Sequence, residues 1–208
     1  MTNNDGLTGL ANRPAFDTDL AALIKAEQTV SVALIDVNGF HELNQTYGFE
    51  AGDRALTVLA EVIKEQDSGR IYRIAGDEFA VVMADTPLEQ AFLKMEQVRR
   101  EIEAAVGRFG LPDKRPVTVG IGVAQYPRDA KDADALIRAA TSALGYCKEI
   151  GSNQVILPLN EEMVMKSCYY TGSSVRRLKV LAERLGKKES LLLREALLDL
   201  LRKYETRD

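Results

Sequence analysis

Two apolar β-type runs, Gly69-Arg-Ile-Tyr-Arg-Ile-Ala75 and Phe79-Ala-Val-Val-Met83, are separated only by Gly76-Asp77-Glu78. So short a connection forces the runs to pair as an antiparallel hairpin, with the glycine supplying the tight turn. The tip then holds Asp77 and Glu78 close together. Two carboxylates fixed side by side repel each other and resist desolvation unless a cation lies between them. Ligands that are all oxygen point to Mg²⁺ or Mn²⁺. An acidic pair on a turn is, taken alone, more commonly just solvated.

A further acid comes from upstream. Thr29-Val-Ser-Val-Ala-Leu-Ile-Asp-Val37 has small and apolar residues at both parities, as a strand buried on both faces requires. Asp36 lies at its C-terminal end. Placed beside the hairpin tip, it would complete a set of three acids, Asp36, Asp77 and Glu78, suited to metal-assisted nucleotide chemistry.

The rest of the first 158 residues alternates. The patterns predict a helix from the Asn12 cap, with Pro14 in its first turn, to about residue 27. A strand follows at 30–37, a helical turn near 40–46 and a helix over 53–65. Hairpin strands at 70–75 and 79–84 come next, then a helix at 87–106, a strand at 117–125, a helix at 133–149 and a strand at 153–157. This order predicts an α/β fold, a two-layer sandwich with an antiparallel-rich sheet.

Several segments taken together resemble the GGDEF family of diguanylate cyclases. They are Asp5-Gly-Leu-Thr-Gly-Leu-Ala-Asn-Arg13, Leu34-Ile-Asp-Val-Asn-Gly-Phe-His-Glu-Leu-Asn44, Tyr47-Gly-Phe-Glu-Ala-Gly-Asp53 and Ala75-Gly-Asp-Glu-Phe79, followed by Gly120-Ile-Gly-Val-Ala124 and Ala143-Leu-Gly-Tyr-Cys-Lys-Glu-Ile-Gly-Ser-Asn153. The resemblance spans roughly residues 3–158, with the motifs in order. It implies a palm-like nucleotidyl cyclase sheet holding one GTP per subunit, and a reaction that joins two GTP into cyclic di-GMP across a homodimer. It assigns catalytic roles to Asp36, Asp77 and Glu78, and metal ligation to those three with the Val37 carbonyl. Substrate contacts fall to Phe40, Asn44, Asp53, Gly76 and Lys148. Asn44 and Asp53 would read the guanine edge, and Lys148 would neutralise the triphosphate. Each also has a plainer explanation: Asn44 and Asp53 as helix caps, Gly76 as turn geometry, Lys148 as a solvated helix-end cation.

Four positions depart from the family pattern. Ala75 stands where glycine is usual, Asn38 replaces an aspartate, His41 a lysine and Ser152 an arginine. The last two remove cationic contacts to an anionic ligand, which predicts weaker GTP binding. Together with Asn38 they also favour an alternative, a catalytically weakened GTP sensor serving a DNA-binding regulator. The stretch Gln66-Asp-Ser-Gly69 lacks the Arg-x-x-Asp pattern of product-inhibited relatives, so no inhibitory site is expected.

Charge divides the chain. Residues 1–162 carry a net −9 and residues 163–208 a net +5, together the −4 of the whole. A basic tail on an acidic body suggests an anionic partner for the tail. The predicted organisation is a catalytic domain at 1–158, a linker at 159–162 and a small domain at 163–208. In the last, Met163–Tyr170 can form a strand, Ser174 can cap a helix ended by Gly186, and Ser190 opens a second helix. Its apolar positions recur at helical spacing, yet so few residues cannot bury them without a partner copy. The arrangement resembles a ribbon-helix-helix DNA-binding domain, implying dimerisation and DNA contacts from Lys166, Tyr170, Lys187, Lys188 and Ser190. No apolar run approaches the ~20 residues of a membrane span. With Cys147 and Cys168 the only cysteines, a soluble cytoplasmic protein is expected.

Overall fold

The structure is a computed structural model that describes residues 3–158, 168–186 and 189–205. It divides into two compact units, Met1–Asn160 and Glu161–Asp208.

In chain order the first unit comprises β1 (Ala11–Asn12), α1 (Arg13–Lys25), β2 (Val30–Val37), α2 (Phe40–Tyr47), α3 (Phe49–Glu65) and β3 (Arg70–Ala75). Then come β4 (Glu78–Ala84), α4 (Leu88–Ala104), α5 (Val106–Phe109), β5 (Val119–Tyr126), α6 (Ala133–Ile150) and β6 (Val155–Ile156). Asn12 caps α1 as its sequence suggests, its side chain accepting from the Ala15 N–H, with Pro14 in the first turn. The strand β1, which the sequence did not signal, pairs parallel with β3.

The six strands lie in the order β1-β3-β4-β2-β5-β6. The inner pairs are antiparallel and the two outer ones parallel. The sheet is therefore mixed, with an antiparallel centre. All of β2 is buried. Ala33, Ile35 and Val37 pack with apolar residues of α3 and α4, while Val32 and Leu34 pack with those of α1 and α6. The sheet is thus covered on both faces, and the expected two-layer sandwich is corrected to three layers. The two-sided apolar pattern of β2 already required it, since a strand with one wet face would alternate.

Two glycines set how closely α6 approaches β5. A Cβ at Gly122 would collide with the Ala140 carbonyl oxygen and lie 2.5 Å from the Leu144 nitrogen. One at Gly120 would lie 3.0 Å from the Ser152 carbonyl oxygen and 3.1 Å from Cys147 Sγ. The bare β5 surface lets α6 settle directly on the sheet.

In the second unit, α7 (Gly172–Leu185) and α8 (Glu189–Glu205) are both helical. Thr171, not Ser174, caps α7, its hydroxyl accepting from the Ser174 N–H at 3.3 Å. Gly186 ends α7 in the left-handed conformation, as expected. Of the predicted strand 163–170, residues 163–167 lie outside the described residues, and 168–170 carry no regular secondary structure. Among the described residues, 168–170 pair with no strand. Val175, Val180, Leu185, Leu197 and Leu200 remain largely exposed.

Candidate active site

Asp36 and Glu78 are direct cross-strand partners in the β2–β4 register, and Gly120 of β5 faces Asp36 from the other side. Partners in an antiparallel pair present their side chains on the same face. By parity that face is the α1/α6 side, which Leu34 and Ala80 share. Asp36 is only 8% exposed, whereas Glu78 is exposed. Because Gly120 offers no side chain opposite Asp36, the end of α6 can reach in. Lys148 Nζ donates to Asp36 Oδ2 at 2.7 Å. Lys148 is thus paired, not merely a solvated helix-end cation.

Asp77 occupies the turn between β3 and β4. Burial pushes its carboxyl above the usual aspartate range and the neighbouring charge of Asp36 adds to this, only partly offset by its own backbone N–H, Lys148 and Arg73. Gly76 has φ of 42°, so glycine suits the turn. Ala75 is not among the left-handed residues, and its methyl group is accommodated.

The turn is braced by a residue to which the sequence reading assigned no role. Arg73 donates to the Gly76 carbonyl oxygen from Nε at 2.9 Å and Nη2 at 2.7 Å, and from Nη1 to Asp5 Oδ1 at 3.0 Å. Asp5 Oδ1 also accepts from the Thr8 N–H and hydroxyl, at 2.8 and 2.7 Å. Although burial alone would raise the Asp5 pKa, the hydrogen bonds from Thr8 and Arg73 outweigh it and hold the carboxyl below its ordinary value. The only sequence signal was the Asp5-Gly-Leu-Thr8 spacing, which suits an Asx-type turn.

The remaining candidates sit on α2 and α3. Asn44 lies within α2 and Asp53 within α3, so neither is an N-cap; Gly48 is the N-cap of α3. Asn44 Oδ1 is buried without a hydrogen-bond partner, while Asp53 is exposed. Phe40 opens α2 and packs partly against the core. Val37 is buried on the α3/α4 face.

The departures from the family pattern also have places. Asn38 Nδ2 donates to Thr118 Oγ1 at 3.0 Å, tying the β2–α2 turn to the chain entering β5. His41 lies 2.9 Å from the Gln45 amide along exposed α2. Ser152 follows α6 with φ of 64° and accepts from Cys147 Sγ through its carbonyl.

The acids fit a hard divalent cation in their donor chemistry, and the Lys148 ammonium shows that the Asp36 carboxylate already attracts a cation there. Among the described residues, however, no three acid, imidazole or thiolate side chains are gathered as a metal cluster. Asp36 and Glu78 stand as a cross-strand pair with Lys148 on Asp36, and Asp77 in the adjoining turn feels the Asp36 charge.

In the second unit, Tyr170 and Ser190 are exposed. Lys166, Lys187 and Lys188 lie outside the described residues. No described helix is long and apolar enough to cross a membrane.

The sequence and the fold have known relatives. The family described as "Diguanylate cyclase, GGDEF domain" matches residues 2–154. Diguanylate cyclase VdcA of Vibrio cholerae is 33% identical over 160 residues, covering 73% of this chain and 46% of the relative. Diguanylate cyclase A of Treponema denticola is 31% identical over 169 residues, covering 77% and 45%. The chain thus spans about half the length of these curated relatives. Among solved structures, the GGDEF domain of DgcB from Caulobacter crescentus, crystallised with c-di-GMP, superposes with a TM-score of 0.68 at 26% identity, covering 76% of this chain and 96% of that one.

Proposed function

The chain belongs to the GGDEF diguanylate cyclase family, and from that premise we propose that it condenses two GTP into cyclic di-GMP and two pyrophosphates. The observation that carries this is Asp36 set opposite Glu78 at the lip of the signature turn, with Lys148 Nζ on Asp36.

Asp36, Asp77 and Glu78, with the Val37 carbonyl, would hold Mg²⁺ or Mn²⁺. When bound, the metal supplies charge stabilisation to the attacking and leaving oxygens of phosphoryl transfer. Glu78 accepts the proton of the 3′-hydroxyl. Arg73 fixes the turn that carries both acids. Lys148 neutralises phosphate charge as it leaves Asp36. Asn44 and Asp53 accept from N–H groups of the guanine edge, which adenine cannot satisfy. With His41 and Ser152 in place of cations, GTP binding is weaker than the family pattern implies.

One site holds one GTP, so two subunits must face each other. The exposed apolar positions of α7 and α8 support a dimerising role for the second unit, which would raise the effective concentration of the catalytic faces. Its reading as a ribbon-helix-helix DNA-binding module rests on the sequence pattern of Lys166, Tyr170, Lys187, Lys188 and Ser190, and a gel shift against genomic fragments tests it.

The deciding experiment is incubation with GTP and Mg²⁺ followed by chromatography, beside an Asp77→Ala control. Cyclic di-GMP that disappears in the control supports the cyclase. Nucleotide binding without turnover would support the sensor instead.

A further inference from the structure

Lys148 stands in the last turn of α6, and its ammonium donates to Asp36 Oδ2 at 2.7 Å. The two partners differ in freedom. Asp36 is nearly buried on the inner strand β2, whereas the Lys148 side chain is 46% exposed. The lysine can swing into solvent; the carboxylate cannot. Asp77 in the adjoining turn feels both the Asp36 carboxylate and the Lys148 ammonium. A dication held by these acids would stand close to the ammonium, and like charges so near repel strongly. Among the described residues, moreover, no three acid, imidazole or thiolate side chains gather as a metal cluster, so the protein alone offers a divalent ion few ligands. Mg²⁺ in nucleotide sites takes one or two carboxylates and completes its shell with phosphate oxygens and water.

We propose that Lys148 is a latch on the metal site, one that makes the site accept a metal–nucleotide complex and disfavour the free ion. While it stands on Asp36, the ammonium compensates the charge that would attract a divalent cation. A triphosphate brings several negative charges and draws the ammonium off Asp36. It also carries in the phosphate oxygens that the protein does not supply. The carboxylate is then bare as the metal arrives with its nucleotide. Metal and triphosphate thus raise each other's affinity, reciprocally, through one side chain. The inference rests on the reading of this site as a GTP site and gives Lys148 a second role there, against the free metal; it can fail separately.

The test is Mn²⁺ binding to the full chain without nucleotide, followed by the loss of the free-ion electron paramagnetic resonance signal. Lys148→Met and Lys148→Gln both remove the ammonium, so the measurement does not hang on one variant folding. Each should bind Mn²⁺ roughly fivefold or more tightly than wild type. Lys148→Arg keeps a cation and should match wild type. So should Lys25→Met, which removes an exposed charge at the end of α1, beside the opposite end of β2 from Asp36. Adding Asp36→Asn to Lys148→Met should erase the gain, which places it at that carboxylate. Saturating guanosine α,β-methylene triphosphate should then tighten Mn²⁺ by a larger factor in wild type than in Lys148→Met. Mn²⁺ binding by the lysine variants that is no tighter than in wild type, or a nucleotide effect of equal size in both proteins, would overturn the latch and leave the GTP reading standing. A wild-type protein that does not bind the nucleotide would remove the GTP reading and this inference together.

Discussion

Lys148 Nζ and Asp36 Oδ2 stand 2.7 Å apart although 112 residues separate them in the chain. The lysine ends α6 and the aspartate ends β2, and the pair closes the sheet where the signature turn begins. Asp36 is nearly buried, so removing the ammonium leaves a poorly solvated charge, while removing both members does not. Lys148→Met should therefore lower stability in urea by about 1 kcal/mol at neutral pH, half-exposure of the lysine keeping the effect small. Adding Asp36→Asn should restore most of it. Additive losses would show that the pair is not coupled.

Arg73 bridges Asp5 to the Gly76 carbonyl, and only a guanidinium can fork in this way. Arg73→Lys should lower turnover on the order of tenfold through a looser turn, while the melting temperature falls by only a few degrees. Steady-state kinetics and calorimetry together check this, since a collapse of the fold would move both strongly.

The Asp5 carboxyl has its pKa lowered in the folded state. Its contribution is present above the ordinary aspartate value and lost as pH falls through the folded one. Wild type should therefore exceed Asp5→Asn in stability at pH 7, and the two should converge as pH drops below about 4. Denaturant titrations across that range give the difference directly, and a gap that widens on acidification contradicts the assignment.

Gly122→Ala places a methyl group against the Ala140 carbonyl and the Leu144 backbone, which cannot swing aside. Overpacking of this kind costs about 1–3 kcal/mol. The same displacement of α6 should carry Lys148 away from Asp36. Chemical denaturation and cyclase activity should fall together, with Gly145→Ala, which meets open space, as the harmless control.

The segment before β3, Gln66, Asp67, Ser68 and Gly69, carries no arginine to fork onto a guanine or a phosphate. Turnover should stay insensitive to added cyclic di-GMP until product competes at the GTP site itself. Tight calorimetric binding of cyclic di-GMP that survives Asp77→Ala would contradict this.

Local chemistry made much of this molecule legible in advance. The double-sided apolar run of β2, the Asn12 cap before Pro14 and the Gly76 turn between β3 and β4 each depend on near neighbours in sequence. So do Asp36 and Glu78 at strand ends and Asp77 in the turn between. What could not be read was whatever depends on two distant segments meeting. The short parallel strand β1 and the Asp5–Arg73–Gly76 brace are of that kind. So are Lys148 standing on Asp36 and the bare Gly120 and Gly122 that let α6 settle on β5. Backbone preference and hydrophobic period act over a few residues and are written in order along the chain. Steric approach and charge pairing act between surfaces, and those exist only once the helices have packed on both faces of the sheet.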